Sequence, residues 1–452
     1  MAEPFPAEGL PLEEARSLVL AALMPLSGVE TVPLAAALGR VSAAPVLACE
    51  AVPGFRASIM DGYAIADVAV PEPGAVWPLV GRSAAGAPFG RALAEGEAIR
   101  ILTGAPLPEG AQRVLPQELV ERIDGAQAPA HPGEALAAGL DSGGAAPTEA
   151  KTAAAASPDL ASQEPATIRL ARPAGPNPWI RAAEEEAAAG AELLAAGVRL
   201  GPAELGRLAS CGVAALSVRQ QPRIALLISG DELVAAGAPR GPGQIWESNG
   251  TLLEALLQRL GARVTERRVV SDQPDFLRQA LVELADGCDV VVSTGGVSAG
   301  DTDWIRQLAA ELGEVAFWKL FLKPGRPFAW GRIGDTPFFG LPGNPVAAAI
   351  TALQLLWPAL QRLEGAEPLP LPRLKVRLEA ALKRNPGRPE LARARLVLDG
   401  DGGLWARLEG SQASSRIGSL QGADLLLEIP AELGALEAGT ELWAQLLRLG
   451  IF

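Results

Sequence analysis

The sequence predicts an α/β protein of several domains, in which an open, mainly parallel sheet is joined to a small β-rich domain and an all-β carboxy-terminal domain. Three observations carry that expectation. Between Arg223 and Leu363 strand-like and helix-like stretches alternate, the pattern of a parallel sheet covered by helices on both faces. From Phe55 to about Arg122, and again from Pro368 onwards, the chain breaks into short alternating stretches, in the first region between Gly/Pro turns. The length of 452 residues exceeds what one hydrophobic core ordinarily organises.

Residues 1–50 read as an amino-terminal helix and connecting arm, because Leu12, Ala15, Leu18, Val19 and Ala22 form one helical stripe between about Pro11 and Leu23. The β-rich domain is expected over 51–123, with turns at Gly54-Phe55, Gly86-Ala87-Pro88 and Pro108-Glu109-Gly110. Residues 124–177 are dominated by Ala, Pro, Gly, Ser and Glu without a period of 2 or 3.6, so a linker or surface insertion is expected there. Over 178–221 the chain returns to the connecting region, and an amphipathic helix from Pro202 to Ser210 should end at Gly212.

The α/β domain occupies 222–365. Its expected strands are Ile224 to Ile228, Val264 to Val270, Val290 to Ser293 and Pro337 to Leu341. The intervening helices are expected at Leu252 to Leu260, Phe276 to Leu284, Trp304 to Leu312 and Val346 to Leu363. The last domain, 366–452, has short alternating stretches at Leu374 to Leu378, Ala394 to Leu398, Leu404 to Leu408 and Leu425 to Ile429.

Composition narrows the chemistry. The single histidine, His131, lies in a Pro/Gly/Ala-rich stretch. A Ser-His-Asp triad, a Cys-His pair and a histidine-ligated transition metal are therefore set aside, leaving carboxylates, hydroxyls, lysines, backbone amides or a hard cation. Cys49, Cys211 and Cys288 fit neither a disulfide framework nor a zinc site, and are expected as small buried apolar residues. A net charge of −13 speaks against nucleic acid as partner. Apolar runs shorter than a bilayer crossing, with no basic-then-apolar leader, make a cytoplasmic chain without membrane contact the expectation.

In an open α/β sheet ligands bind at the carboxyl ends of the strands. Turns expected on that edge are Ser229-Gly230-Asp231-Glu232, Ser271-Asp272-Gln273-Pro274, Thr294 to Asp303, and Leu341-Pro342-Gly343-Asn344-Pro345. Gly295-Gly296-Val297-Ser298 lets backbone amides approach an anion, or is simple turn chemistry. The two prolines around Gly343-Asn344 fix a rigid strand-to-helix corner. Asp231, Glu232, Asp272, Asp301 and Asp303 either ring the edge as solvated caps or hold Mg²⁺ through oxygen ligands. Facing them, Lys319, Lys323 and Arg326 form either an anion site or a surface patch. Residues Leu320 to Leu322 are strand-like, which would set Lys319 and Lys323 on one face.

Taken together, these stretches resemble the molybdopterin molybdenumtransferase family, MoeA in bacteria and the gephyrin E domain in animals. The resemblance rests on Phe55 to Ala64 with Met60-Asp61-Gly62-Tyr63, Arg100 to Pro106 with Thr103-Gly104, and Ser229-Gly230-Asp231-Glu232-Leu233. It extends to Gly295-Gly296-Val297-Ser298, to Phe317-Trp318-Lys319 with Lys323-Pro324-Gly325, and to Gly340 through Pro345. It implies a homodimer whose subunits have a β-rich domain, an extended connecting domain, a Mog-like α/β domain that binds the pterin, and a carboxy-terminal β-barrel. The implied reaction inserts molybdate into adenylylated molybdopterin, delivered by the adenylyltransferase, and releases AMP with Mg²⁺ as cofactor. The cleft is expected between the α/β domain of one subunit and the β-rich domain of the other.

By the resemblance, Asp61 and Thr103 face the cleft from the β-rich domain, and Glu232, Asp272 and Asp303 act as metal or phosphate-side acids. Lys319 and Lys323 bind molybdate or phosphate, while Ser229, Gly230, Asp231, Gly295, Gly296, Ser298, Arg326, Pro342, Gly343, Asn344, Pro345 and Ser414 bind or shape the substrate site. There are departures from the family pattern. The Arg-x-x-Gly-x-Asp segment reads Arg181-Ala182-Ala183-Glu184-Glu185-Glu186, so the acid is retained as Glu186 and the usual glycine is Glu184. Arg326 replaces a lysine, and Gln112 replaces an aspartate. The alternatives are an adenylyltransferase-like enzyme and a non-catalytic dimeric scaffold.

Overall fold

The computed structural model describes residues 8–123, 167–296 and 304–447. The chain divides into two compact units, one of Met1–Val46, Leu194–Ala209 and Val213–Phe452, the other of Leu47–Leu193 and Ser210–Gly212.

The second unit is built on a six-stranded sheet in the order Arg113–Pro116, Gly62–Ile65, Ala98–Ile101, Val76–Ser83, Thr167–Leu170, Val120–Arg122. Alternation places sequence neighbours in different cores. Ala64, Ile99 and Val114 join one apolar cluster, while Ile65, Ala98 and Leu115 join another with Trp77, Ile168 and Leu170.

The linker expected over 124–177 is therefore too long at its end. Thr167–Leu170 is a strand pairing with both Val76–Ser83 and Val120–Arg122, and Ile168 and Leu170 are fully buried. Its four residues are too few to carry a period against the low-complexity stretch before them. His131 and the remainder of that stretch lie outside the described residues. A deletion of 126–173 removes the strand and two buried aliphatic side chains, and is expected to destabilise this unit by several kcal/mol, roughly 2–5 for each large apolar residue lost. A deletion confined to 126–163 retains the strand, and thermal denaturation of the two variants separates the outcomes.

In the first unit the α/β sheet runs Val264–Val270, Ile224–Ser229, Val290–Thr294, Thr336–Leu341, Ala329–Ile333, Gly313–Trp318. The first four strands are parallel, and Ala329–Ile333 runs antiparallel to both of its neighbours, Thr336–Leu341 and Gly313–Trp318. Every residue of Ile224–Ser229 is buried. Ile224, Leu226 and Ile228 enter one core and Ala225 and Leu227 the other, as a strand covered on both faces requires. The helices are Asn249–Arg259, Pro274–Gly287, Trp304–Leu312 and the Pro345–Leu363 rod, which contains a π-helical stretch at Ala352–Leu356. That rod is apolar and long enough for a membrane span, but 83% of it is buried inside the protein, which makes it a core helix.

The amino-terminal helix, Leu12–Ala21, packs Ala15 and Val19 into the same core, and Arg16 reaches Gln354 through its side-chain amide oxygen (2.9 Å) and its carbonyl (3.1 Å). Val29–Pro33 pairs with Ala215–Arg219, and the expected helix stands at Pro202–Ser210, followed by Gly212 at φ 79°. The carboxy-terminal region is a closed barrel of Arg373–Leu378, Glu390–Leu398, Leu404–Leu408, Leu425–Ile429 and Glu441–Leu446. Cys211 and Cys288 are buried, but Cys49 is exposed, contrary to expectation.

Candidate active site

The carboxyl ends of the four parallel strands open into a cavity of about 1080 Å³. Ser229, Gly230 and Glu232 follow one strand, Asp272 the next, Thr294, Gly295 and Gly296 the third, and Pro342 to Pro345 the last, and all of these line it. Lys323 to Pro327 close one side, and the barrel contributes Arg388 and Gln412 to Ser415. Glycine is required at 295, where φ is 94° and a Cβ would stand 2.8 Å from the Ser229 carbonyl oxygen.

A polar clamp holds the turns together. Asn249 Nδ2 donates to Thr294 Oγ1 (2.8 Å) and to the Gly343 carbonyl (2.7 Å), while Thr294 Oγ1 donates to the Pro342 carbonyl (3.0 Å). The barrel loop is tied in by Val346 N donating to Ser414 O (3.1 Å). Behind it, the buried Arg393 donates through Nη2 to Ala413 O (3.2 Å) and through Nε to Ser419 Oγ (3.0 Å).

The acids gather on one rim. Asp272 N donates to Asp231 Oδ1 (3.0 Å). Burial pushes the Asp272 carboxyl above the usual carboxylate range, the neighbouring Ser229 hydroxyl offsets part of this, and Asp231 and Glu232 push it further up. Asp272 thus holds its proton more tightly folded than unfolded, and its ionisation detracts from stability. The deficit is absent below the ordinary carboxylate range, grows as pH rises towards the raised value and is complete only above it. Asp272→Asn is expected to raise the melting temperature slightly at pH 7, with no gain in acid, while lowering activity by about tenfold or more. Melting curves at the two pH values, beside a rate assay, check this.

Cations line the same cavity. Burial and the neighbouring Arg326 push the Arg388 guanidinium down, and Glu390 partly offsets them. Lys323 Nζ lies 3.1 Å from Glu390, whose other oxygen is 3.7 Å from Arg384 Nε. The expectation that Lys319 and Lys323 share a strand face does not hold. The strand ends at Trp318, Lys319 turns at φ 85°, and its ammonium rests over the Trp318 ring (3.6 Å), whereas Lys323 lines the cavity. A left-handed lysine breaks the alternation, and nothing in its residue type announces it.

Asp61 and Thr103 meet in the other unit. Antiparallel pairing of Gly62 with Ile101 brings the residues just beyond them together, and Asp61 Oδ1 accepts from both Thr103 N and Thr103 Oγ1 (2.7 Å each). Those two bonds, with Arg100 nearby and against a small burial effect, hold the Asp61 carboxyl below its usual range. Gly62 is needed because a Cβ there would lie 2.0 Å from the Leu115 carbonyl oxygen.

Glu186 is in the same unit, its amide donating to Val52 O (2.9 Å). Glu184, at the family's glycine position, has φ 62°. Glu184→Gly is therefore expected to stabilise by about 0.5–1 kcal/mol, since left-handed strain of about 1–2 kcal/mol outweighs the glycine entropy, and thermal denaturation reads it.

The chain matches three family models in order: the MoeA N-terminal region (domain I and II) over residues 10–212, a probable molybdopterin binding domain over 225–362, and the MoeA C-terminal region (domain IV) over 375–447. It is 30% identical over 433 residues to a molybdopterin molybdenumtransferase of Haemophilus influenzae, covering 95% of this chain and 96% of the relative. The chain belongs to the molybdopterin molybdenumtransferase family. Molybdopterin molybdenumtransferase 2 of Mycobacterium tuberculosis is 31% identical, covering 91% of this chain and 93% of that protein. A MoeA protein of Pyrococcus horikoshii superposes with a TM-score of 0.72 at 27% identity, covering 98% of this chain and all of the other.

Of the residues expected from the family pattern, Ser298 and Asp303 lie outside the described residues, as does Asp301. Among the described residues no three His, Cys, Asp or Glu side chains converge to hold a metal ion. Magnesium does not require three, because it is commonly held by one or two carboxylates plus water and substrate phosphate, and of the expected ligands Glu232 and Asp272 both line the cavity. Arg388 and Asn249 were not foreseen, whereas the Gln412 to Ser415 stretch around Ser414 lines the cavity. Asn249 carries the local signal of a helix start, but its partners are 45 and 94 residues away.

Proposed function

We propose that this member of the family transfers molybdenum from molybdate to the dithiolene of adenylylated molybdopterin and releases AMP. The observation that carries the reading is the cavity itself, lined both by the acids Glu232 and Asp272 and by Lys323, Arg326 and Arg388. At about 1080 Å³ it suits a large, multiply charged ester rather than a lone oxyanion.

In this reading the Gly295-Gly296 turn and Ser229 receive phosphate oxygens. Lys323 and Arg326 hold the incoming oxyanion and stabilise charge on the leaving phosphate. Asn249 and Thr294 keep the two turns at fixed separation, so the groups need not reorganise during reaction. Glu232 and Asp272 would hold Mg²⁺, which when bound withdraws charge from a phosphoanhydride. Asp61, oriented by Thr103, and Glu186 are assigned to the catalytic set from the β-rich unit. A homodimer in the cytoplasm, receiving substrate from the adenylyltransferase, completes the assignment.

The test is direct. Purified protein with Mg²⁺, molybdate and adenylylated molybdopterin should form molybdenum cofactor and AMP in equal amounts. AMP release independent of molybdate, or no turnover, overturns the reading.

A further inference from the structure

One aromatic side chain at the cavity has no part in the site as described. Trp246 lines the cavity yet is 47% exposed. It belongs to the short strand Ile245–Trp246, which pairs with Leu233–Val234, and Ile245 N donates to Glu232 O (2.8 Å). The strand therefore begins beside the Glu232 backbone. The Trp246 indole Nε1 donates to Ala238 O (2.9 Å), and the Arg240 guanidinium lies 3.9 Å from the ring centroid. An exposed tryptophan normally turns among rotamers, but this one is fixed at its polar edge and covered on one face by a cation. Fixing the ring in advance removes most of the ordering entropy that a stacking partner would otherwise have to offset.

We propose that Trp246 is a stacking platform for a planar heteroaromatic ring of the ligand, with Arg240 backing the indole. The proposal rests on the reading above, which supplies two such rings, a pterin and an adenine. It divides the cavity by chemistry. The Gly295-Gly296 turn and the cations Lys323, Arg326 and Arg388 take the anionic part, and Trp246 takes a flat apolar face that none of those groups recognises. Stacking on an aromatic side chain is tolerant of ring identity, so the platform fixes the ring's position while other groups read its edges.

The test is isothermal titration of the full-length protein with three probes: AMP, 6-carboxypterin, and pyrophosphate as the ringless control. Trp246→Ala is expected to weaken whichever ring compound occupies the platform by about tenfold or more, with pyrophosphate unchanged. The affected probe identifies the ring. Trp246→Phe keeps a π face and is expected to lose less than about threefold, which also covers the case in which the alanine variant folds poorly. Arg240→Ala, which leaves the ring but uncovers it, is expected to lose about two- to fivefold for the same probe.

Unchanged binding of both ring compounds by Trp246→Ala overturns the platform, and so does an equal loss of pyrophosphate, which would mark Trp246 as a structural part of the wall. If the unaltered protein binds none of the three probes, the pterin-nucleotide reading fails and the platform with it. If the ring-specific loss is found but the unaltered protein inserts no molybdenum, the platform stands and the proposed reaction falls.

Discussion

Asp61→Ala is expected to lower molybdenum insertion by at least about 100-fold while leaving the protein folded. The carboxylate sits on an accessible turn, and among the described hydrogen bonds its partners are the Thr103 amide and hydroxyl, so no packed core depends on it. Losing two charge-assisted bonds at an exposed site is expected to reduce stability by about 1 kcal/mol, well inside the reserve of a folded domain. The pH dependence has a definite sign. The Asp61 carboxyl is held below its ordinary range, so its stabilising contribution is present above that range and fades only as pH falls through the lowered value. The unaltered protein and the variant should therefore converge in stability only in acid. Thr103→Val separates orientation from charge, since it removes the hydroxyl bond but keeps the amide bond, and an intermediate loss of rate is expected. Insertion at the normal rate by Asp61→Ala would remove this turn from the catalytic set.

The second large effect concerns the anion side. Lys323→Ala is expected to raise the molybdate concentration for half-maximal insertion by about tenfold or more, with little change in melting temperature. The Lys323 side chain is 49% exposed, whereas its partner Glu390 is 6% exposed and keeps Arg384 after the substitution. The fold therefore retains its buried pair. Removing the ammonium also leaves the Glu390 carboxylate, 3.1 Å from Lys323 Nζ, with one cation fewer beside it, so its negative charge adds to the lost attraction. In Lys323→Ala combined with Glu390→Gln, part of the loss should be recovered, a non-additivity that a simple loss of one surface cation would not give. Lys319, turned onto Trp318, should act independently of Lys323 in the corresponding cycle. Initial rates against molybdate at saturating pterin substrate decide the matter, and an unchanged dependence for Lys323→Ala removes it from the site.

Much of this was legible in the residues. The parallel strands stood out because a strand buried on both faces reads as an unbroken apolar run, as Ile224 to Ile228 and Val290 to Val292 do. The helix expected near Trp304 to Leu312 is found there, and the turns were marked by their glycines and prolines. The antiparallel pair Gly313–Trp318 and Ala329–Ile333 was not foreseen, because Gly313, Glu314, Gly331 and Arg332 dilute its apolar pattern. The clamp through Asn249, the cation Arg388 and the platform Trp246 were also hidden. Each gains its meaning from a neighbour supplied by a distant stretch of chain or by a backbone turn, and one-dimensional periodicity records neither.

The docking of Leu12–Ala21 against the Pro345–Leu363 rod has a consequence for biogenesis. Arg16 and Gln354 are 338 residues apart, so this helix waits for that length of chain to be synthesised before its apolar stripe is covered. At roughly 5–20 residues per second, that interval is on the order of 20–70 s on the ribosome. During it Val19 and Leu23 have no native partner from the rod, and neither does the rod until its own synthesis ends. Substitutions that make this stripe less sticky, such as Leu18→Gln at its exposed margin, should improve the yield of native protein at high expression rates without altering the rate per folded molecule.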